Sequence, residues 1–248
     1  MWLDVQKWSG VVLGATVTVA TIWLAVTNQL ILYIHPRYVV FTVIMAALAL
    51  IVAVASVAVR PRDEHDEAPR GWRKALSVTA LGLTVLIAGA VIVIPPATLT
   101  SATADQRELN STSVGAGAQT VAGASSQSDA AFAKFTVLDW SSLLRQTSDT
   151  AFYAGKTVDV VGFITADQDD PQNVFWVSRF IVTCCAVDAQ PVGVPVYAPN
   201  WADSYELDGW VRVTGGFESN PSRDSGQAIA LVPEAVDKVE TPDEPYLF

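Results

Sequence analysis

The stretch Thr157-Val158-Asp159-Val160-Val161-Gly162-Phe163-Ile164 largely alternates apolar and polar or small residues after a turn at Ala154-Gly155. A period of two is that of a half-buried β-strand. Working outward, further strands are expected at 174–177, 179–184, 192–197, 210–215 and 228–232, separated by Pro, Gly, Asp and Asn clusters. Five or six short strands in roughly 100 residues predict a small closed barrel or a sandwich. Just upstream, Asp139 reads as the N-cap of a short helix that carries Trp140, Leu143 and Leu144 on one face.

The N-terminal part has a different pattern. Three apolar runs, 9–32, 39–59 and 75–94, contain no ionisable residue. Each is about 20 residues or longer, and that many helical residues reach about 30 Å, the thickness of a bilayer core. Trp2, Trp8, Tyr33, Tyr38 and Trp72 stand at their ends as interfacial anchors, and Pro95 and Pro96 stop the third. Three transmembrane helices are therefore expected over 1–96. The first reads as a retained span, because its leader carries only Lys7 as a basic side chain and its apolar core is too long for a signal peptide. The loop between the second and third runs holds Arg60, Arg62, Arg70, Arg73 and Lys74, whereas the first loop holds only Arg37. Positive-inside bias puts the N-terminus in the cytoplasm and everything after residue 94 outside it. No run carries the charged residue that marks a conduction path, so these helices anchor the chain in lipid or dock on another membrane protein. Gly10 with Gly14, and Gly82 with Gly89, supply smooth faces for such packing.

Composition separates the two parts. The whole chain is 51% hydrophobic and 16% charged, with a formal net charge of −10. Residues 1–96 carry 7 Lys/Arg against 5 Asp/Glu, and the remaining 152 carry 8 against 20. An outer part with net charge −12 excludes a nucleic-acid binder, which needs a basic surface. Between the parts, 22 of the 34 residues at 97–130 are Ala, Gly, Ser or Thr, which predicts a flexible tether. Asn110-Ser111-Thr112 within it matches a glycosylation acceptor, a tripeptide common by chance.

The only cysteines, Cys184 and Cys185, are adjacent, in Thr183-Cys184-Cys185-Ala186-Val187-Asp188-Ala189. Neighbouring Cα atoms lie about 3.8 Å apart, below the usual disulfide span of about 4.4–6.8 Å. If the pair continues a strand, the thiols face opposite ways; a turn beginning at Cys185 brings both together with Asp188. Three readings stand side by side: buried small residues, a metal or soft-ligand site, and a labile vicinal disulfide. Zn²⁺ or Cu⁺ is the cofactor such a site would take. A closed zinc site wants four N or S ligands, and the only histidines are His35 and His65, both in the N-terminal part. Their absence from the outer part also removes Ser-His-Asp and Cys-His hydrolytic arrangements, and no phosphate loop or dinucleotide fingerprint is present. No enzyme activity is expected. Asp167, Asp169 and Asp170 lack a calcium ligand ladder and read as a solvated loop before Pro171.

Gly155-Lys156-x-Val-x-Val-x-Gly162 is typical of the opening of an OB-type barrel, so an OB-like β-domain is expected over 131–248. The stretch from Gly155 to Phe217 resembles the C-terminal domain of the YcgQ-like family of uncharacterised bacterial membrane proteins. The residues that carry the resemblance are Gly155-Lys156 with Gly162-Phe163, Arg179-Phe180-Ile181, Cys184-Cys185-Ala186 with Asp188-Ala189, Pro191-Val192-Gly193-Val194, Trp210-Val211-Arg212-Val213-Thr214-Gly215 and Pro245-Tyr246. The resemblance implies a multi-pass protein of the bacterial plasma membrane, the small subunit of a two-component predicted permease. Its partner would be a larger multi-span subunit. The resulting expectation is a non-conducting accessory subunit with a partner- or ligand-binding domain outside the membrane. The alternative is a metal- or thiol-handling protein that uses Cys184, Cys185 and Asp188.

Overall fold

The structure, a computed structural model, describes residues 2–58, 98–111 and 119–248, and positions 75, 76, 78–80, 82, 83, 86, 87, 89 and 90. The chain divides into two compact units, Met1–Ala97 and Thr98–Phe248.

In the first unit, helix α1 (Trp2–Val26) packs on α2 (Pro36–Ala58). The hydroxyls of Thr16, Thr18, Thr21 and Thr27 donate to carbonyls four residues back, at 2.7–2.9 Å. Each polar side chain is thereby satisfied inside its own helix, as an apolar surrounding demands. The first apolar run is not one continuous helix to residue 32. Asn28 adopts φ 57, a left-handed conformation Asn tolerates, and ends α1 at Val26. A separate 3₁₀ turn, Leu30–Leu32, then buries Leu30 and Ile31. Pro36 opens α2, where a missing amide donor does no harm. Among the described residues one helix is long and apolar enough to cross a membrane, Pro36–Ala55, with mean hydropathy 2.7. The apolar helix Val11–Val26 is shorter. Among the described residues, then, one such helix stands where the sequence predicts three. The described positions between 75 and 90 are helical, and the rest of the third run, with the basic loop, lies outside the described residues.

The second unit is built on a sheet of six strands: β1 (Val158–Ala166), β2 (Val174–Ile181), β3 (Gln190–Tyr197), β4 (Trp210–Ser219), β5 (Ile229–Lys238) and β6 (Tyr246–Leu247). Their order is β1-β4-β5-β3-β2-β6, with an additional β1–β2 pairing. β3–β5 and β2–β6 are parallel and the other pairs antiparallel. β1 changes partner along its length: Val158 to Phe163 pair with β4, and Phe163 to Ala166 with β2. Gly162 sits at the change, and a Cβ there would lie 2.5 Å from the Ser178 carbonyl oxygen. The ladder between β4 and β5 slips at Thr214/Gly215, where a Cβ on Gly215 would lie 2.2 Å from the Val232 oxygen.

Two expected strands, 174–177 and 179–184, are one. The interruption at Ser178 is only apparent, because its buried hydroxyl pairs with that of Thr165 at 2.9 Å. That strand stops at Ile181, short of the cysteines. The two-residue β6 is too short to show a period. The helix Val137–Gln146 is capped by Thr136, not Asp139. Thr136 Oγ1 accepts from the Asp139 amide, and the Asp139 carboxylate accepts from the Thr136 amide, a reciprocal box. This helix drives the fully buried Trp140 and Leu143 into the core, where Trp140 meets Phe132, Phe135 and Phe217 at 5.2–5.8 Å.

Composition at 97–130 predicts a tether, yet the described parts of it are fastened down. Leu99 N–H donates to the Tyr246 hydroxyl, and Ser101 to the Asp208 carboxylate. The Asn110 side chain exchanges two hydrogen bonds with the Gly193 backbone, at 2.8 and 3.1 Å. The Gln119 carbonyl accepts from Ser142 and Gln146. Small polar residues bury little apolar area, but they can still satisfy a sheet edge and a helix. Residues 112–118, the middle of the expected tether, lie outside the described residues.

Candidate metal centre

Both ends of the loop that holds the cysteines are pinned. β2 and β3 are antiparallel, with Ile181 opposite Gln190, so residues 182–189 form their connection. Val182 N–H donates to the Leu247 carbonyl at 2.9 Å, and Val182 and Ala189 are buried. Between these anchors the chain turns. Cys185 opens a 3₁₀ turn, Ala186–Asp188, in which the Asp188 amide donates to the Cys185 carbonyl at 2.9 Å.

Asp188 organises the turn. Its Oδ1 accepts from Thr183 N–H at 3.0 Å, and its Oδ2 from Cys184 and Cys185 N–H at 2.7 and 3.2 Å. Three consecutive amides aimed at one carboxylate hold the thiol-bearing backbone in a single shape. Of the two geometries the sequence allows, the turn is the one present. One ligating atom from each of Cys184, Cys185 and Asp188 lies within 4.8 Å of the others. Cys184 is exposed and Cys185 half-buried. Two sulfurs with one carboxylate oxygen make a donor set that prefers soft or borderline cations over Mg²⁺ or Ca²⁺.

A brace on this loop escaped sequence reasoning. Arg107 Nη2 donates to the Val187 carbonyl at 3.0 Å. Its segment is fixed by Asn110, whose own carbonyl accepts from Arg145 at 2.8 Å. Nothing in the composition of 97–130 marks Arg107 or Asn110. The Asn110 amide, engaged on Gly193, is not presented as a glycan acceptor.

The other residues singled out from the sequence are structural. The half-buried Arg179 guanidinium donates to the carbonyls of Pro245 and Glu244, and at 3.3 Å to that of Val161. It lies 5.3 Å from the centre of the Trp210 ring and clamps β6 to the sheet. Burial pushes its pKa down to about 10, which Glu244 partly opposes. Asp167 and Asp170 are not in a solvated loop: both are buried. Asp167 accepts from the Trp176 indole at 2.9 Å and the Asp170 amide at 3.1 Å. Asp170 accepts from the Ser222 hydroxyl at 2.6 Å and from Asn173 at 3.0 Å. The Ser222 hydroxyl foremost, then Asn173, holds the Asp170 carboxyl below the usual carboxylate range, against the pull of burial. Asp170 ties the β1–β2 loop to the β4–β5 loop, and Asp167 ties it to β2. An adjoining cleft of about 610 Å³, lined by Arg107, Arg145, Asp167, Asp169 and Trp176, does not include the cysteines.

In the first unit Gly10 lies in α1, and a Cβ on Gly14, Gly82 or Gly89 would meet no described atom within 4 Å. His35 accepts from the Arg37 amide through Nδ1 at 3.1 Å. His65 lies outside the described residues.

No curated protein and no solved structure matches this chain. Two family descriptions do: the DUF1980 N-terminal domain over residues 11–110 and the DUF1980 C-terminal domain over 122–248. The second alone covers more than half of the sequence, including the thiol–carboxylate turn, so the chain belongs to the DUF1980 family.

Proposed function

We propose that this protein is a membrane-anchored, non-conducting accessory subunit of a larger permease, and that its sheet domain binds a thiophilic cation outside the cytoplasm. The observation that carries the reading is the convergence of Cys184, Cys185 and Asp188 within 4.8 Å on a turn held by three amides. The cations that suit these donors are Zn²⁺ and Cu⁺. The sheet domain is read as an OB-like barrel. That reading draws support from the pairing sequence β1–β2–β3–β5–β4–β1, with β3 and β5 parallel.

In the membrane part, three spans with a cytoplasmic N-terminus and an outer C-terminal unit are proposed. The charge-free runs at 9–32, 39–59 and 75–94 and the basic loop between the last two support this arrangement. The exposed apolar side chains of α2, among them Val40, Phe41, Ile51 and Val52, suit a lipid surround. The open faces at Gly14, Gly82 and Gly89 suit a packed partner helix. The test uses the full chain in mild detergent under reducing conditions. The expected result is stoichiometric binding of Zn²⁺ or Cu⁺, lost when both cysteines become serine, together with a multi-span protein crosslinked to it in the membrane. Wild-type protein that binds neither cation overturns the site, and recovery as a lone species after crosslinking overturns the subunit role.

A further inference from the structure

We propose that the Cys184–Cys185–Asp188 cluster is an exchange site. It holds a divalent thiophilic cation by three protein donors and leaves a fourth coordination position open for a thiolate or imidazole from another molecule. This rests on the cation-binding reading above and adds how the ion enters and leaves.

The argument is a count of donors. Tetrahedral Zn²⁺ takes four ligands; structural sites supply all four from the protein, and sites that exchange or react keep one position open. In the unit Thr98–Phe248 the two cysteines are the only sulfur side chains, since Met1 and Met45 precede it, and it contains no histidine. Among the described residues, no other group of three or more His, Cys, Asp or Glu side chains is arranged to hold an ion. A carboxylate offers about four lone-pair sites. Three amides occupy three of those of Asp188, so it adds one donor and cannot chelate through both oxygens. The protein therefore provides two sulfurs and one oxygen.

The fourth position faces outward. Cys184 is exposed, and Val187 at the crest of the turn is 83% exposed, so an incoming donor meets no covering chain among the described residues.

Charge selects the valence. Cation binding releases the two S–H protons, and two thiolates with one carboxylate carry −3. A divalent ion leaves −1, a monovalent ion −2. The Arg107 guanidinium, which donates into the same turn, offsets the smaller residue. An incoming thiol binds as thiolate and releases its proton, whereas imidazole replaces a bound water without a change of charge.

The experiment titrates full-length reduced protein with Co²⁺, a spectroscopic stand-in for Zn²⁺, and then adds imidazole or a monothiol. The expected result is a sulfur-to-cobalt charge-transfer band abolished by Cys184→Ser with Cys185→Ser, and a ligand-field spectrum that shifts in a saturable way with the added donor. Asp188→Asn is expected to weaken Co²⁺ binding by about tenfold or more. A wild-type protein that binds no Co²⁺ and no Zn²⁺ removes the cation-binding reading and this inference with it. A Co²⁺ complex whose spectrum ignores both added donors overturns the open position alone and leaves the cation site standing.

Discussion

In α1 the Thr18 hydroxyl bonds to the Gly14 carbonyl four residues back, whereas in the sheet unit Asn110 bonds to Gly193, 83 residues on, and Ser222 to Asp170, 52 residues back. The two units face the same requirement, since a buried polar group must find a partner. The helices meet it locally, residue by residue, and are legible in the order of the sequence. The sheet unit meets it across the fold, through the Asp167–Trp176 and Asp170–Ser222 links and the Asn110–Gly193 pair. A substitution in α1 therefore disturbs one turn, and one in the sheet unit disturbs elements remote in the chain.

The largest expected effect lies in the sheet unit. Trp140→Ala removes a fully buried side chain that bridges the helix, the segment around Phe132 and Phe217 of β4, and should destabilise the unit by about 3–5 kcal/mol. Thermal unfolding of the full chain in detergent reads it, and a loss under about 1 kcal/mol would deny that the helix belongs to this core. Trp140→Phe sharpens the point. Its indole N–H has no partner among the described residues, so that variant gives up volume without orphaning another polar group.

A smaller effect, with a definite pH dependence, is expected at Asp170. Its folded-state carboxyl is held below the ordinary range by Ser222 and Asn173, so it contributes stability at pH above that range, and the contribution fades as pH falls through the lowered value. Asp170→Asn should melt below wild type at pH 7, and the gap should close as the pH drops below about 4. A gap that stays constant from pH 7 to pH 3 would show that the charge of Asp170 contributes nothing.

The smallest effect belongs to the helical unit. Thr18→Val removes a hydroxyl bonded to a carbonyl of its own helix and should change stability by less than about 0.5 kcal/mol. A larger loss in the same melting experiment would mean that Thr18 bonds outside α1, and the contrast between the two units would fail.

The strand positions around 157–164, 192–197 and 210–215 were legible because alternation is a property of consecutive residues. The join of 174–177 with the following strand was not, because Ser178 belongs in a sheet only through its bond to Thr165. Asp139 is not the N-cap but the third residue of the helix, three positions after the cap Thr136, and the sequence misleads here because both members of a capping box look like caps. Cys184, Cys185 and Asp188 were identifiable by residue type and spacing, but Arg107 and Asn110 were hidden in a stretch that reads as tether.

Composition and order alone determined that the chain has an apolar N-terminal part and an acidic, strand-rich C-terminal part, and that the C-terminal part lacks every soft donor except two adjacent sulfurs. These are properties of residue type and near neighbours, which survive without folding. Tertiary structure decided that the two thiols share one side of a turn with Asp188, that the described parts of the polar segment after residue 97 are bound to the sheet unit, and that Asp167 and Asp170 are buried. The last two depend on partners far along the chain, brought together only when the strands pair, whereas the turn closes on bonds three to five residues long and takes from the sheet only the fixing of its two ends.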